Sequence, residues 1–209
     1  MSVANSVRRH IRDMPDERIF TTRDLLCLTT SRGALDVAIF RLVEKGEIRR
    51  LARGVFIKNL LNQREPSIEE IAMVKASSFG KMIYQHGLNA ASEIGFLSKK
   101  VFELTKYYFY TTGCSSSFQA GDTTVFFKSV SKRKTSITNS QSGKLLKSLW
   151  NQGEHKANGL RNQAMFLKGK LDSLEKVAFQ QEIRVMPIWL VQLFYPRSKK
   201  GRKLVLNVS

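Results

Sequence analysis

Along the first sixty residues the apolar positions fall into helical stripes separated by short polar breaks. Val3, Val7 and Ile11 recur at i, i+4 and i+8, one face of a helix, with Arg8, Arg9 and Arg12 off that face and Pro15 ending it. Thr21 or Thr22 is the predicted N-cap of a second, shorter helix whose buried side is Leu25, Leu26 and Leu28. Thr29, Thr30 and Ser31 form a polar break. A third helix starts at Arg32, with Leu35, Ile39 and Leu42 on one face and Gly46 as its stop. Residues 48–57 read as two short strands around Ala52, Arg53 and Gly54.

The pattern changes after Lys58. Residues 59–66 read as a polar linker, and Ser67 with Glu70 opens a capping-box helix running to about Phe79. His86 starts a short helix ending at Gly95. Residues 106–112 are strongly β-prone, 113–117 read as a turn, and 123–130 as a second strand. From Ser142 to Arg184 the pattern is helical, with breaks near Gly153 and Gly169. The apolar run 186–195 is too short to span a membrane and suits a buried terminal element. The expected class is α+β: a winged helix-turn-helix over 1–60, a larger mixed α/β domain over 66–195, and a basic tail over 196–209.

Helix, short helix, three-residue turn, helix and basic hairpin is the winged helix-turn-helix order, in which the second helix of the motif enters the DNA major groove. With Leu35, Ile39 and Leu42 turned inward, Ser31, Arg32, Asp36, Val37, Phe40 and Arg41 face outward. Arg32 and Arg41 can reach guanine edges or phosphates, and Phe40 can meet thymine methyls. Thr22 belongs to the same expected surface, and Arg49, Arg50 and Arg53 of the hairpin add positive charge beside it. Two plainer readings stand next to this one. Winged helices also serve as protein-protein modules, and a basic hairpin discourages strand pairing at a sheet edge.

Charge widens the picture. The 209 residues carry 35 Lys+Arg against 17 Asp+Glu, a net +18, which favours a polyanionic partner. Residues 1–65 account for +5 of this and residues 66–209 for +13, so the larger share lies outside the helix-hairpin segment. Lys128, Lys132, Arg133, Lys134, Lys144 and Lys147 form a candidate second basic patch. It either tracks flanking DNA, meets an acidic protein or a tRNA, or is a solvated face.

Little catalytic chemistry is legible. Cys27 and Cys114 have no metal-ligand spacing, and His10, His86 and His155 are far apart, so no zinc site, disulfide, metal or cofactor is expected. There is no phosphate-binding loop, GxGxxG, HExxH or GxSxG. Asp122 with Glu154 and Lys156 has the order of a D…ExK nuclease core, but Glu154 falls in what reads as a glycine-bounded loop rather than a strand. Ser115, Ser116 and Ser117 read as hairpin loop, Cys27 as a small core residue and His10 as a surface residue. Of Tyr107, Tyr108, Phe109 and Tyr110, alternation sends half into a core. No catalytic residue is expected, and the absence of an apolar leader suits a cytoplasmic, nucleoid-associated protein.

Phe20–Leu26, the stretch Ala38-Ile-Phe-Arg-Leu-Val-Glu-Lys-Gly-Glu-Ile48, and Arg50-Leu-Ala-Arg-Gly-Val-Phe56 resemble the N-terminal domain of AbiEi-type antitoxins. Pro66–Ala72, Gly87–Ser98, Tyr110–Gly113 and Pro187–Trp189 resemble later parts of AbiEi-like proteins, in the same order. The chain has Phe56 where the family often has Tyr, and Gly33 early in the third helix. The resemblance implies a bacterial antitoxin of type IV toxin-antitoxin or abortive-infection systems. Its N-terminal domain would bind operator DNA at inverted repeats and repress its own operon, and its C-terminal domain would counter a nucleotidyltransferase-like toxin. A stand-alone regulator or interaction adaptor of a mobile element is the alternative.

Overall fold

A computed structural model describes residues 2–96 and 105–196, which form two compact units. The first holds residues 2–84 and 105–129, the second 85–96 and 130–196. The basic tail beyond Pro196 lies outside the described residues, as do Leu97 and Ser98.

In the first unit, helix α1 (Val3–Asp13) is capped by Ser2, whose side chain accepts from the Asn5 amide, and it buries Val7 and Ile11. Strand β1 (Phe20–Thr21) runs into a 3-10 segment, Thr22–Leu28. Helix α2 (Arg32–Glu44) follows, capped by Ser31, and then the hairpin of β2 (Ile48–Ala52) and β3 (Val55–Lys58). Phe20 pairs with Phe56 across β1 and β3, their rings stacked 6.0 Å apart, and Leu25, Leu35, Ile39, Leu42 and Ile48 complete this core. The 3-10 winding changes which side chains are covered. At three residues per turn it buries Thr22 and Leu25, and leaves Leu26 and Cys27 exposed. The expectation of Leu26 and Cys27 as core residues is therefore corrected.

The hairpin is covered on both faces, which explains why all of β3 is buried. Its register shifts between Arg50 and Ala52, so that Leu51 is inserted as a bulge. The consecutive residues Leu51 and Ala52 thereby both enter a second core with Val55, Ile57, Phe109, Val125 and Phe127. Helix α3 (Ile68–Ser77), with the Ser67–Glu70 capping box, adds Ile71, Ala72 and Ala76 to it. Lys58 is nearly buried. Its Nζ donates to the Arg12 and Met14 carbonyls at 2.8 and 2.5 Å and to Asp16 at 2.9 Å, satisfying carbonyls that the end of α1 leaves open.

Strands β4 (Ile83–Gln85), β5 (Lys106–Thr111), β6 (Ser116–Ala120) and β7 (Thr123–Ser129) extend the sheet, in the order β1-β3-β2-β6-β7-β5-β4. β6 pairs antiparallel with β7 and meets β2 at Ala52 and Ala120. β5 and β7 run parallel. Two expectations change here. Ser116 and Ser117 are strand residues rather than hairpin loop, and the polar stretch 59–66 does not divide the compact units, because residues 105–129 share the first unit's sheet. Phe109, Tyr110 and Thr111 are buried in succession, as in strands covered on both faces, so strict alternation fails in β5.

The second unit is helical: α4 (Gly87–Glu93), α5 (Lys132–Thr135), α6 (Gln141–Gln152), α7 (Glu154–Gly159), α8 (Arg161–Gly169), α9 (Ser173–Glu182) and α10 (Ile188–Phe194). Leu145, Leu146 and Leu149 of α6 meet Phe179, Ile183, Leu190 and Phe194, with the Phe179 and Phe194 rings edge to face at 4.9 Å. Glu154 and Lys156 lie on α7, not in a loop, and a helix cannot supply the strand that a D…ExK core requires. The protein is thus mixed α and β with a seven-stranded sheet. Among the described residues no helix is long and apolar enough to cross a membrane.

Candidate functional site

The exposed side of α2 and the turn of the β2–β3 hairpin enclose a groove of about 520 Å³. The spacing of α2 decides what enters it. Arg32, Asp36, Ile39, Phe40, Val43 and Glu44 line it, with Ile39 also packed in the core, while Leu35 and Leu42 anchor the opposite face there. Val37 and Arg41 are exposed, and neither lines the groove. Phe40 is 63% exposed, a large apolar side chain with no cover. Ser31 is committed locally, its hydroxyl accepting from the Ala34 amide at the start of α2. Arg32 Nε donates to both Asp36 carboxylate oxygens at 3.1 Å, so the leading cation of α2 already has a partner.

From the hairpin, Arg50, Arg53, Gly54 and Phe56 add to the lining. Arg50 shares the strand face of Ile48, its guanidinium 5.7 Å from the Phe56 ring centroid. Arg49 sits on the opposite face and pairs with Glu65, so it does not reach the groove. The tip is held closely. Gly54 has φ +75°, a region that disfavours side chains, and its carbonyl accepts from the Thr22 amide at 3.2 Å. Thr22 is buried beneath it and forms part of the groove floor.

A second groove of about 380 Å³ borders the first, sharing Thr22, Arg32, Arg53 and Gly54 with it. Its other lining residues are Thr21, Arg23, Lys75, Ser78 and Phe79. Lys75 Nζ donates to the Arg53 carbonyl, and burial followed by the charge of Arg53 pulls its pKa below the usual lysine value. Arg23 and Lys75 both approach the Phe79 ring, at 4.4 and 5.5 Å from its centroid. Sequence reasoning missed Arg23, Lys75 and Phe79. The available signal was the i, i+4 spacing of Lys75 and Phe79 at the end of α3.

The residues of the expected second basic patch divide between the two units. Lys128, in the first unit, lies 4.5 Å from the Tyr108 ring centroid. In the second unit Lys132 is exposed, while Arg133 and Lys134 each lie 5.2 Å from the Trp150 ring centroid. Lys144 pairs with Glu93 at 2.8 Å. Lys147 is a correction: it is 1% exposed, and its amine donates to Asn139 Oδ1 at 2.5 Å. Burial pushes its pKa down to about 8, against an opposing pull from Glu182.

That value fixes a sign. A lysine whose folded pKa lies below its unfolded one adds stability that is fully present above 10.5 and is lost as pH falls through about 8. Denaturation midpoints measured between pH 8 and 10.5 should therefore contain a rising component that Lys147→Met lacks. Parallel midpoints for the two proteins across that range would contradict the assignment.

Among the described residues no group of three or more His, Cys, Asp or Glu could hold a metal ion. Residues 6–172 match the model of DUF6088, described as a family of unknown function. No curated protein and no solved structure matches the chain.

Proposed function

The chain belongs to the DUF6088 family, whose description names no activity, and we propose from the geometry that it is a sequence-specific DNA-binding regulator. The observation that carries this reading is the placement of Arg50 and Arg53 beside the exposed face of α2. Neither arginine has an ion-pair partner among the described residues. The element order α1, β1, 3-10 segment, α2, β2, β3 and the strand order β1-β3-β2 support a winged helix-turn-helix, with α2 as the reading helix and the hairpin as a short wing. In this reading Arg32, Phe40 and Arg41 meet base edges, and Arg50 and Arg53 meet the backbone or the adjacent minor groove.

The resemblance to AbiEi-type antitoxins extends the proposal. The regulator would repress its own operon, and its helical second unit would counter a nucleotidyltransferase-like toxin in a bacterial cytoplasm. The uncovered Phe40 and Val37 favour one alternative, an adaptor whose α2 docks a protein. Selection from a random duplex pool, followed by footprinting upstream of its own gene, separates the two. Recovery of one preferred inverted repeat is expected. A pool that stays random after repeated rounds would refute sequence-specific binding and leave the adaptor.

A further inference from the structure

The two neighbouring grooves differ in charge balance. The groove between α2 and the hairpin mixes Arg32, Arg50 and Arg53 with Asp36 and Glu44. The second groove gathers Arg23, Arg32, Arg53 and Lys75, and no carboxylate lines it. Arg32 is paired with Asp36, but Arg23, Arg53 and Lys75 have no ion-pair partner among the described residues, and the charge of Arg53 does depress the Lys75 pKa. Such a cluster is stabilised by an anion that supplies the missing negative charge.

The cations are held in place rather than left to spread. Phe79, 53% exposed, offers its ring to both Arg23 and Lys75. The Lys75 amine is also tied to the Arg53 carbonyl, which fixes the end of α3 against the hairpin tip. The last carbonyls of α3 do not compete for these cations. Ala76 accepts from the Phe79 and Lys81 amides, and Ser77 from Gly80. The Thr21 and Ser78 hydroxyls of the same lining donate within the protein, to Asp24 and to the Lys75 carbonyl, which leaves the charged side chains as the contacts for an anion.

We infer that this second groove seats a backbone phosphate of the duplex, with Arg23, Arg53 and Lys75 as its charged contacts. The DNA-binding surface thus extends past the helix and hairpin onto α3. The inference rests on the DNA-binding reading and adds a sequence-independent anchor to it. Phosphate contacts fix register and carry no base information, so the two grooves divide the work: α2 reads and the α3 end clamps.

The test measures binding of the full chain to a random-sequence duplex of about two helical turns across a salt series. Each phosphate contact contributes about 0.9 to the slope of log K against log salt. Arg23→Gln and Lys75→Gln should each flatten the slope by about that amount and weaken all sequences alike. Lys75→Arg, which keeps the charge, should restore the slope, and thermal melts confirm that each variant is folded. If both glutamine variants keep the parental slope while Arg50→Ala, in the first groove alone, weakens binding, the phosphate anchor is wrong and the DNA-binding reading stands. If the parent does not bind the duplex at all, both fail. A titration with inorganic phosphate separates the sources. Saturation that shifts the Arg23 and Lys75 NMR signals, without any duplex binding, would assign the groove to a free anion and overturn the backbone assignment.

Discussion

Replacing Gly143 by alanine is expected to unfold the second unit, or to leave it barely stable, while the first unit keeps its structure. A Cβ at Gly143 would lie 2.2 Å from the Thr138 carbonyl oxygen and 2.9 Å from its carbon. Both are backbone atoms, so no rotamer change relieves the clash. Thr138 cannot easily retreat, because its amide donates to Glu182 at 2.8 Å and Glu182 also accepts from the Ser142 hydroxyl at 3.1 Å. Ser142 and Glu182 are buried, so moving the corner would strand polar groups as well. The cost should reach the upper end of overpacking penalties, about 3 kcal/mol or more.

Gly87→Ala should behave alike, since its Cβ would sit 2.4 Å from the Lys147 carbonyl and 2.6 Å from Asn151 Cβ, where α4 crosses α6. Gly159→Ala is the control: nothing lies within 4 Å of the added carbon. Both tryptophans, Trp150 and Trp189, belong to the second unit, so their fluorescence reports its unfolding. An unchanged fluorescence midpoint in Gly143→Ala and Gly87→Ala, matching Gly159→Ala, would refute this account of the packing.

These two glycines also mark where sequence reading stops. Elements with local determinants were legible: the Val3–Val7–Ile11 stripe, the Ser67–Glu70 capping box, and the hairpin around Gly54. What escaped depends on contacts distant in sequence. Strand β6 opens on Ser116 and Ser117, polar and turn-like by composition, and is recruited by pairing with β7 and with β2 at Ala52. Lys147 resembles a surface lysine until α6 is seen to be buried around most of its circumference. The 3-10 winding of Thr22–Leu28 exposes Leu26 and Cys27, because its turn holds three residues where an α-helical period holds 3.6.

The candidate site shows the same division. Arg32, Asp36 and Phe40 share a face that helical spacing alone predicts, and Arg50 and Arg53 flank a visible turn. Arg49, expected on the same surface, is sent by strand alternation to the other face and onto Glu65. Arg23 and Lys75 become part of the site only when the end of α3 is brought to the hairpin tip.

The pair Arg50→Ala/Arg53→Ala should produce the largest loss of DNA affinity available from two substitutions outside α2. Neither side chain has an ion-pair partner among the described residues, so their charge is free to displace counterions from the duplex. Loss of two phosphate contacts should flatten the salt slope by about 1.8, and any base contact that is lost adds about 1–3 kcal/mol of selectivity. Arg49→Ala removes the same formal charge from the same hairpin, yet it should leave the slope nearly unchanged, because Arg49 is already paired with Glu65 on the far face. Asp36→Asn should act in the opposite sense. It removes a carboxylate from the α2 groove and releases Arg32, raising affinity for all duplexes. The comparison tests geometry rather than net charge. If Arg49→Ala weakens binding as much as Arg50→Ala or Arg53→Ala, diffuse basicity explains the binding and the face assigned to the duplex is wrong.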